Sequence, residues 1–251
     1  MNLHPTAIIE DGAQLGAGCV IHPYAVITRH CVLGDGVVVH PFAVIGGDPQ
    51  DLRFDAATRS GVQVGARTVI REHVTISRAT KADSWTQIGA ECYLMASSHV
   101  AHDCRLDDKV ILANAVLLGG HVHIGEGAVV GGAAGIHQFC RIGEGAVVGG
   151  GARITRDIPS FTMTTERDEV SGLNVVGLRR RGLPRATVDE LKRAFRAVNV
   201  PVGNLRELAA AALASGEFTS AEARRFLEFF NGGRRGFIRA RRSGAVQDTG
   251  D

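Results

Sequence analysis

The chain has 251 residues, of which 45% are hydrophobic, 32 are glycine and only 5% are aromatic. Its formal net charge of +2 supplies no overall field that would attract nucleic acid, and we expect no nucleic-acid partner. No apolar run reaches the length of a membrane span, and the first residues do not resemble a secretion signal. We therefore expect a cytoplasmic globular protein without stable membrane insertion.

The sequence repeats with a period of six residues from Leu3 to Ile154. Leu, Ile or Val occupies 23 positions of this register, and a small or β-branched residue commonly stands four positions later. A period of six fits neither an α-helix nor an alternating strand. It predicts a parallel β-helix, a three-sided prism of short strands with the aliphatic side chains inside and each coil stacked on the next.

Two stretches interrupt the repeat, and long loops in so regular a scaffold tend to be functional. We expect loops that leave the prism at residues 46–61 and 77–87. The prism is predicted over residues 1–160, followed by a connecting segment over residues 161–186.

Residues 187–251 are predicted to form a small helical domain. Thr187 and Glu190 have the spacing of a capping box for its first helix. The helices are expected near residues 188–199, 204–214 and 219–230. The polar tail from Arg239 to Asp251 is expected to be frayed.

The five cysteines share the small, inward position of a hexad. They are Cys19, Cys31, Cys92, Cys104 and Cys140. We interpret them as buried, reduced core residues, because no CxxC pair is present to suggest a zinc or redox site. Cys104 lies two residues from His102, but the register points Cys104 inward and His102 outward. A Cys–His nucleophile pair is therefore rejected.

Residues spaced by 18 stack on successive coils of the predicted prism, and His102, Gly120 and Gln138 form one such column. His137 precedes Gln138, His121 follows Gly120, and His99 lies earlier on the coil of His102, so that histidines gather along one outer edge. A histidine ridge could bind metal or exchange protons. Because the positions 36 residues beyond His99 and His102 are Gly135 and Gln138, the columns do not close on a metal. We expect no metal site.

A basic run of Arg179, Arg180 and Arg181 follows the hexads. Such a run is commonly a solvated surface. Its place at the end of the prism also suits an anion site for nucleotide phosphates or an acidic carrier protein.

Several segments together resemble the UDP-N-acetylglucosamine acyltransferases of lipid A biosynthesis. They are residues 98–104, 118–121 and 136–140, with further matches at 50–52, 172–174, 177–182 and 235–239. The resemblance covers nearly the whole chain and implies that the prism is left-handed. It also implies transfer of a (3R)-3-hydroxyacyl group from acyl carrier protein to the 3-hydroxyl of UDP-N-acetylglucosamine, the first step of lipid A biosynthesis. It implies no cofactor and no covalent acyl-enzyme.

The resemblance also implies roles for individual residues. His102 matches the general base, Asp103 the carboxylate that supports it, and Gly120 the backbone N–H that binds the oxyanion. The positions that match substrate contacts are Gln50, Asp51, Arg53, His99, His121, His137, Gln138, Asn174, Arg180 and Arg181. Gly150 matches the position that limits acyl-chain length, although a glycine there could instead merely serve a tight corner.

Two residues depart from the family pattern. Arg53 stands where many members have lysine, and Val176 replaces a common acidic residue, which puts contacts to uridine or ribose in doubt. Some relatives accept an amino sugar in place of the alcohol, so that acceptor stays open.

Two other functions remain possible. One is an N-acyltransferase acting on an amino-sugar UDP acceptor, whose relatives carry an extra N-terminal domain for which hexads beginning at Leu3 leave no room. The other is a non-catalytic or metal-binding β-helix. Because a ligand site needs concavity and one prism leaves the histidine ridge without an opposing wall, we expect a homotrimer.

Overall fold

The computed structural model describes residues 1–240 and shows three mainly parallel sheets that form the faces of a prism. Face A consists of Asn2–Leu3, Val20–Ile21, Val38–Val39, Val69–Ile70, Tyr93–Leu94, Ile111–Leu112, Val129–Val130, Val147–Val148, Thr162–Thr164, Glu169–Leu173 and Arg239–Ala240. Face B consists of Ile8–Ile9, Val26–Ile27, Val44–Gly47, Thr75–Ser77, His99–Val100, Leu117–Leu118, Gly135–Ile136 and Arg153–Ile154. Face C consists of Gln14–Leu15, Cys31–Leu33, Gly61–Val64, Trp85–Ile88, Arg105–Leu106, His123–Ile124 and Arg141–Ile142.

The aliphatic register fills the interior of the prism, as the six-residue period predicts. All 23 positions are buried except Leu3, Ile9 and Leu15 in the first coil. Burying one such side chain contributes roughly 1.5–3 kcal/mol, so the column of aliphatics supplies the main driving force for the fold. The five cysteines are also buried inside, which confirms their interpretation as core residues.

The chain turns sharply at each corner of the prism, and these corners use left-handed backbone. Fourteen non-glycine residues within residues 1–240 have φ between 57° and 66°. Asp103, His121 and Phe139 are three of them, and they stack on successive coils between faces B and C. We call this corner the BC edge, and the corners after faces C and A the CA edge and the AB edge.

The interruptions form loops at residues 48–60 and 78–84. The second loop is shorter than the predicted 77–87, because Trp85–Ile88 pairs with Gly61–Val64 as a strand of face C. Its residues alternate between exposed and buried side chains, the two-residue period of a strand.

The segment 161–186 does more than connect. Thr162–Thr164 pairs with Val147–Val148, so the prism continues past the expected end at residue 160. Glu169–Leu173 then runs antiparallel to this strand, and helix α1 spans Val175–Arg180.

Three further helices pack around their own apolar cluster. They are α2, Arg185–Asn199; α3, Leu205–Ala214; and α4, Ala221–Glu228, followed by a 3₁₀ turn at Phe229–Asn231. The predicted capping box is wrong, because α2 begins after Pro184 and Glu190 instead accepts hydrogen bonds from the N–H groups of Thr219 and Ser220. That carboxylate thus caps the start of α4. The predicted frayed tail is wrong at its first two residues, because Arg239–Ala240 pairs with Glu169–Leu173 as the last strand of face A. The rest of that tail lies outside the described residues.

Candidate active site

A histidine–aspartate pair lies on the BC edge, directly after the strand His99–Val100. Nδ1 of His102 lies 2.8 Å from Oδ2 of Asp103, and the two side chains are 15% and 11% exposed. Asp103 occupies one of the left-handed corner positions, with φ of 59°. The tight corner therefore brings the carboxylate back against the ring of the preceding residue.

The carboxylate of Asp103 is held from its other side by Thr80. Its oxygens accept hydrogen bonds from the Thr80 N–H at 3.2–3.3 Å and from the Thr80 hydroxyl at 2.6 Å. Burial alone would raise the pKa of Asp103, but the bonds from Thr80 and His102 outweigh it and the pKa is lowered. Asp103 is therefore ionised at neutral pH. The hexad pattern gave no signal for Thr80, because loop residues are outside the repeat.

Gly120 lies one coil beyond His102 and presses directly against its imidazole. A Cβ placed on Gly120 would lie 2.4 Å from Cε1 and 2.6 Å from Nε2 of His102. A side chain on Gly120 would push the imidazole from its place beside Asp103, and glycine avoids this. Within residues 1–240 the Gly120 N–H donates no hydrogen bond, so a backbone donor beside the imidazole is free for a ligand.

Two further histidines flank the pair. His121 contacts His102 edge-on at 5.2 Å between ring centroids and stacks on Phe139 at 4.5 Å. Nδ1 of His99 lies 2.7 Å from the Thr75 hydroxyl. Burial lowers the pKa of both His99 and His121, with the neighbouring His102 adding to the effect. Both rings are therefore neutral near pH 7 and can exchange hydrogen bonds with a polar ligand.

His137 and Gln138 lie one coil further along the same edge, as the spacing of 18 residues predicts. Both are exposed, and Nδ1 of His137 lies 3.2 Å from the Gln138 carbonyl oxygen. Their side chains line the wall of a cavity rather than the core.

Two open cavities meet at His102. The first, about 780 Å³, follows face B past Leu117, Ile136 and Ile154. The second, about 730 Å³, lies under the loop 48–60 and is lined by more polar residues. Gln50, His102 and Gln138 line both cavities, which places the imidazole at their junction.

The loop 48–60 brings Gln50, Asp51 and Arg53 to the second cavity. The carboxylate of Asp51 accepts two bonds from the Arg53 guanidinium, at 3.1 and 3.0 Å. These bonds lower the pKa of Asp51 to about 2. The side chain of Arg53 is 89% exposed and belongs to the rim.

One group of side chains in the site has the composition of a metal site. Ligand atoms of His102, Asp103 and His121 lie within 4.8 Å of one another, and two histidines with a carboxylate are a set that zinc accepts. The Asp103 carboxylate already accepts bonds from Thr80 and His102, so a metal would have to displace them.

Cys104 faces away from this chemistry. Its Sγ–H donates to the Gly119 carbonyl inside the prism at 3.2 Å, and burial raises its pKa to about 12. A thiol that stays protonated is not a nucleophile, which agrees with the rejection of a Cys–His pair.

Four predicted site residues lie on other edges of the same chain. Asn174 caps helix α1 through the Gly177 N–H and donates to the Gly145 carbonyl on the CA edge. Arg181 pairs with Glu144 on that edge at 3.0 Å, and Arg180 is exposed at the end of α1. Gly150 is exposed on the AB edge. A single chain does not bring these four residues to His102.

Comparison with known proteins gives the family. A UDP-N-acetylglucosamine O-acyltransferase from Burkholderia mallei (strain SAVP1) is 40% identical over 263 aligned positions, covering 95% of this chain and 99% of that one. The chain belongs to this acyltransferase family. The model of its second domain matches residues 157–238, and a bacterial transferase hexapeptide model matches residues 12–47. A relative from Gloeothece citriformis is 44% identical over 156 residues, and there the chain spans only 56% of the relative's length.

Solved structures agree with the family assignment and with the fold. A UDP-N-acetylglucosamine acyltransferase from Campylobacter jejuni matches with a TM-score of 0.84 at 35% identity, covering 96% of this chain and 100% of that one. The LpxA structure from Acinetobacter baumannii gives 0.85 at 30% identity, covering 95% and 100%. The predicted left-handed hexapeptide β-helix with C-terminal helices is confirmed. Within residues 1–240, no helix is long and apolar enough to cross a bilayer.

Proposed function

We propose that the chain transfers a (3R)-3-hydroxyacyl group from acyl carrier protein to the 3-hydroxyl of UDP-N-acetylglucosamine, the first step of lipid A biosynthesis. The observation that carries this proposal is the placement of Gly120 against the imidazole of a His102–Asp103 pair. A base beside a free backbone N–H is the arrangement that acyl transfer to a hydroxyl requires. Both substrates are water-soluble, and we place the reaction in the cytoplasm.

The chemistry follows from the hydrogen bond between His102 and Asp103. The ionised carboxylate accepts a hydrogen bond from the Nδ1–H of His102, which leaves Nε2 unprotonated and free to take the proton of the sugar hydroxyl. The sugar oxygen then attacks the thioester carbonyl, whose oxygen becomes an anion that the Gly120 N–H stabilises. When the C–S bond breaks, the carrier thiolate leaves and takes the proton from Nε2.

The two cavities suit the two substrates. The polar cavity under the loop 48–60 offers Asp51 and His121 to sugar hydroxyls. The cavity along face B offers Leu117, Ile136 and Ile154 to a hydrocarbon chain. The sugar oxygen and the thioester would therefore meet at His102, where the two cavities join.

We propose a homotrimer because the family-matched residues lie on all three edges of one prism. His102 lies on the BC edge and Arg181 on the CA edge of the same chain, so no single edge holds both residues. Where prisms pack side by side about a threefold axis, different edges of neighbouring chains face each other. Asn174, Arg180 and Arg181 of one subunit can then bind the nucleotide end of a substrate whose sugar lies at His102 of the next.

The test of this function is transfer by the purified protein. UDP-N-acetylglucosamine and 3-hydroxyacyl carrier protein are mixed with the enzyme, and the product is detected by mass spectrometry. Formation of the 3-O-acyl sugar nucleotide is the expected result. Preference for a 3-amino analogue would instead assign the N-acyltransferase activity. Absence of transfer with both acceptors would reject the proposal.

A further inference from the structure

Arg78 is a buried charged side chain that the proposed chemistry does not use. It follows the strand Thr75–Ser77 and is only 1% exposed. Burying a guanidinium is costly unless the charge is paired and its donors are satisfied. The groups that bind the Arg78 side chain therefore indicate which part of the structure the buried charge stabilises.

Among the described residues 1–240, every group that the Arg78 side chain contacts through a hydrogen bond or a ring belongs to the loop 48–60. Its Nε donates to Oδ1 of Asp48 at 2.8 Å, and its terminal nitrogens donate to the carbonyls of Thr58 at 2.5 Å and Ala56 at 2.8 Å. The guanidinium also lies 4.8 Å from the ring centroid of Phe54. One planar cation thus ties together four points of the loop.

The backbone beside Arg78 links this loop to the catalytic pair. The Arg78 N–H donates to the carbonyl of Gly47, the residue just before the loop, and the hydroxyl of Ser60, the last loop residue, donates to the Ala79 carbonyl. The next residue is Thr80, which holds the carboxylate of Asp103. The tripeptide Arg78–Thr80 therefore touches the loop at one end and the base-supporting carboxylate at the other.

We propose that Arg78 is a positioning residue for the acceptor, which holds the loop 48–60 so that Gln50 and Asp51 face His102 across the polar cavity. The inference rests on the proposed function, since it names what the ordered loop is for. Arg78 does not contact His102, Asp103 or Gly120, so its loss leaves the base and the oxyanion donor in place. Acceptor binding is therefore affected more than chemistry.

The kinetic test compares Arg78→Met with a matched arginine that joins the same two loops at the surface. Arg59 pairs with Asp83, and its side chain is 85% exposed, so Arg59→Met should leave the kinetics unchanged. In Arg78→Met we expect KM for UDP-N-acetylglucosamine to rise about tenfold or more, with kcat and KM for the acyl carrier protein within about twofold. Thr80→Val should show the reverse, a lower kcat with KM for the sugar nucleotide kept.

Two further variants guard against a fold defect in Arg78→Met. Asp48→Ala and Phe54→Ala remove partners of Arg78 from the loop side and leave the prism untouched; each should raise the same KM. Arg78→Lys keeps the charge without the planar fork and should rescue only in part. The proposal would be overturned if KM for UDP-N-acetylglucosamine were unchanged in a folded Arg78→Met enzyme. It would also be overturned if every variant showed the same fall in kcat and the same rise in KM for both substrates.

A readout independent of turnover separates this inference from the proposed function. Arg53 is an exposed tryptic site in the loop. Limited trypsin digestion should cut after Arg53 faster in Arg78→Met than in the wild type, with the prism intact. If the wild type transfers no acyl group, the proposed function fails whatever the digestion shows. If transfer occurs and cleavage rates are equal, only the role of Arg78 fails.

Discussion

At the scale of single residues, the site depends on how close two backbones approach. His102 and Gly120 belong to neighbouring coils, and the absence of a side chain on Gly120 makes room for the imidazole. The ring lies between this backbone and the loop 48–60, and is more covered than an outward position of the hexad predicts.

His102→Ala is expected to lower kcat by roughly 10²–10⁴-fold, because the proposed general base is lost. The thermal unfolding midpoint should change little, since the ring contributes to the site rather than to the aliphatic column. Steady-state kinetics and differential scanning fluorimetry measure the two effects. Turnover above about a tenth of the wild-type value would contradict the role of His102 as base.

Ser98 is a hydroxyl in a column of apolar side chains. Among the residues described, its oxygen is the buried side-chain atom without a hydrogen-bond partner. Ser98→Ala should therefore raise the free energy of unfolding by about 1 kcal/mol. Thr68 has the same hexad position, but its hydroxyl donates to Gly89 and accepts from Cys92.

Thr68→Val is the matched control, and should lower the free energy of unfolding by about 1–3 kcal/mol because the Cys92 N–H loses its acceptor. Urea denaturation of both variants measures the difference. Equal effects of the same sign would mean that the Ser98 hydroxyl has a partner in solution.

Gly150 differs from the glycines on either side of it. A Cβ on Gly149 would lie 2.8 Å from the Thr165 carbonyl, and Gly151 has φ of 68°. A Cβ on Gly150 would meet the backbone of Gly132, with its oxygen at 3.3 Å and its nitrogen at 3.9 Å, and the φ of Gly150 is not left-handed. A side chain at Gly150 therefore requires only that the Gly132 carbonyl shift by a few tenths of an ångström.

If Gly150 limits the acyl chain, Gly150→Met should shift the donor preference toward shorter chains, since each methylene excluded from the acyl-binding site removes about 0.8 kcal/mol of binding. A series of acyl carrier protein thioesters of increasing length measures kcat/KM for each. The same order of preference in wild type and variant would place the length limit at another residue.

At the scale of elements, the six-residue period predicts the stacked strands of the prism but not the contacts that the loops make. The register places His102, Gly120 and Gln138 in one column because each coil repeats after 18 residues, and the structure has that column. Thr80 and Arg78 could not be found in this way, because their roles come from contacts across loops that follow no period. The capping box was wrong because Glu190 turns toward a neighbouring helix.

Glu190→Gln is expected to destabilise the helical domain by about 1 kcal/mol near neutral pH, because a charged cap is lost from α4. Hydrogen bonds from the N–H groups of Ser220 and Thr219 lower the pKa of Glu190 below 4.5. A lowered folded pKa means that the stabilisation is present above pH 4.5 and is lost as the pH falls through the folded value.

The difference between wild type and Glu190→Gln should therefore shrink in acid. Denaturation followed by circular dichroism at a series of pH values measures it. Glu207→Gln is the control, since Glu207 makes no side-chain hydrogen bond within residues 1–240. A difference that grows as the pH falls would show that the uncharged acid is the form that caps α4.

At the scale of the whole molecule, the three edges of the prism carry different parts of one proposed site. Sequence matching gave these residues without indicating that they lie apart. In the folded chain, His102 lies on the BC edge, Arg181 on the CA edge and Gly150 on the AB edge. Because of this separation, the proposed trimer would complete the site as well as assemble the subunits.

Hybrid trimers test this arrangement. His102→Ala and Arg181→Ala enzymes should each be nearly inactive, and mixing them through reversible unfolding should restore activity. If the site is shared between subunits, each hybrid trimer contains one interface at which His102 of one subunit and Arg181 of its neighbour are both intact. Matched homotrimers refolded separately and then combined are the control. No recovery in the mixed sample would place both residues in one subunit's site.

The stacking of coils has a consequence for how such a molecule can change. Each coil pairs only with the coils before and after it, at a spacing of about 4.8 Å. Inserting one whole coil between His102 and the helices would move them apart by this spacing, and deleting one coil would bring them closer by the same amount. The side chains of all other coils would keep their register. The distance between His102 on the BC edge and the C-terminal helices can therefore change only in steps of one coil. A tandem duplication of one coil would change this distance and leave the residues at either end unchanged.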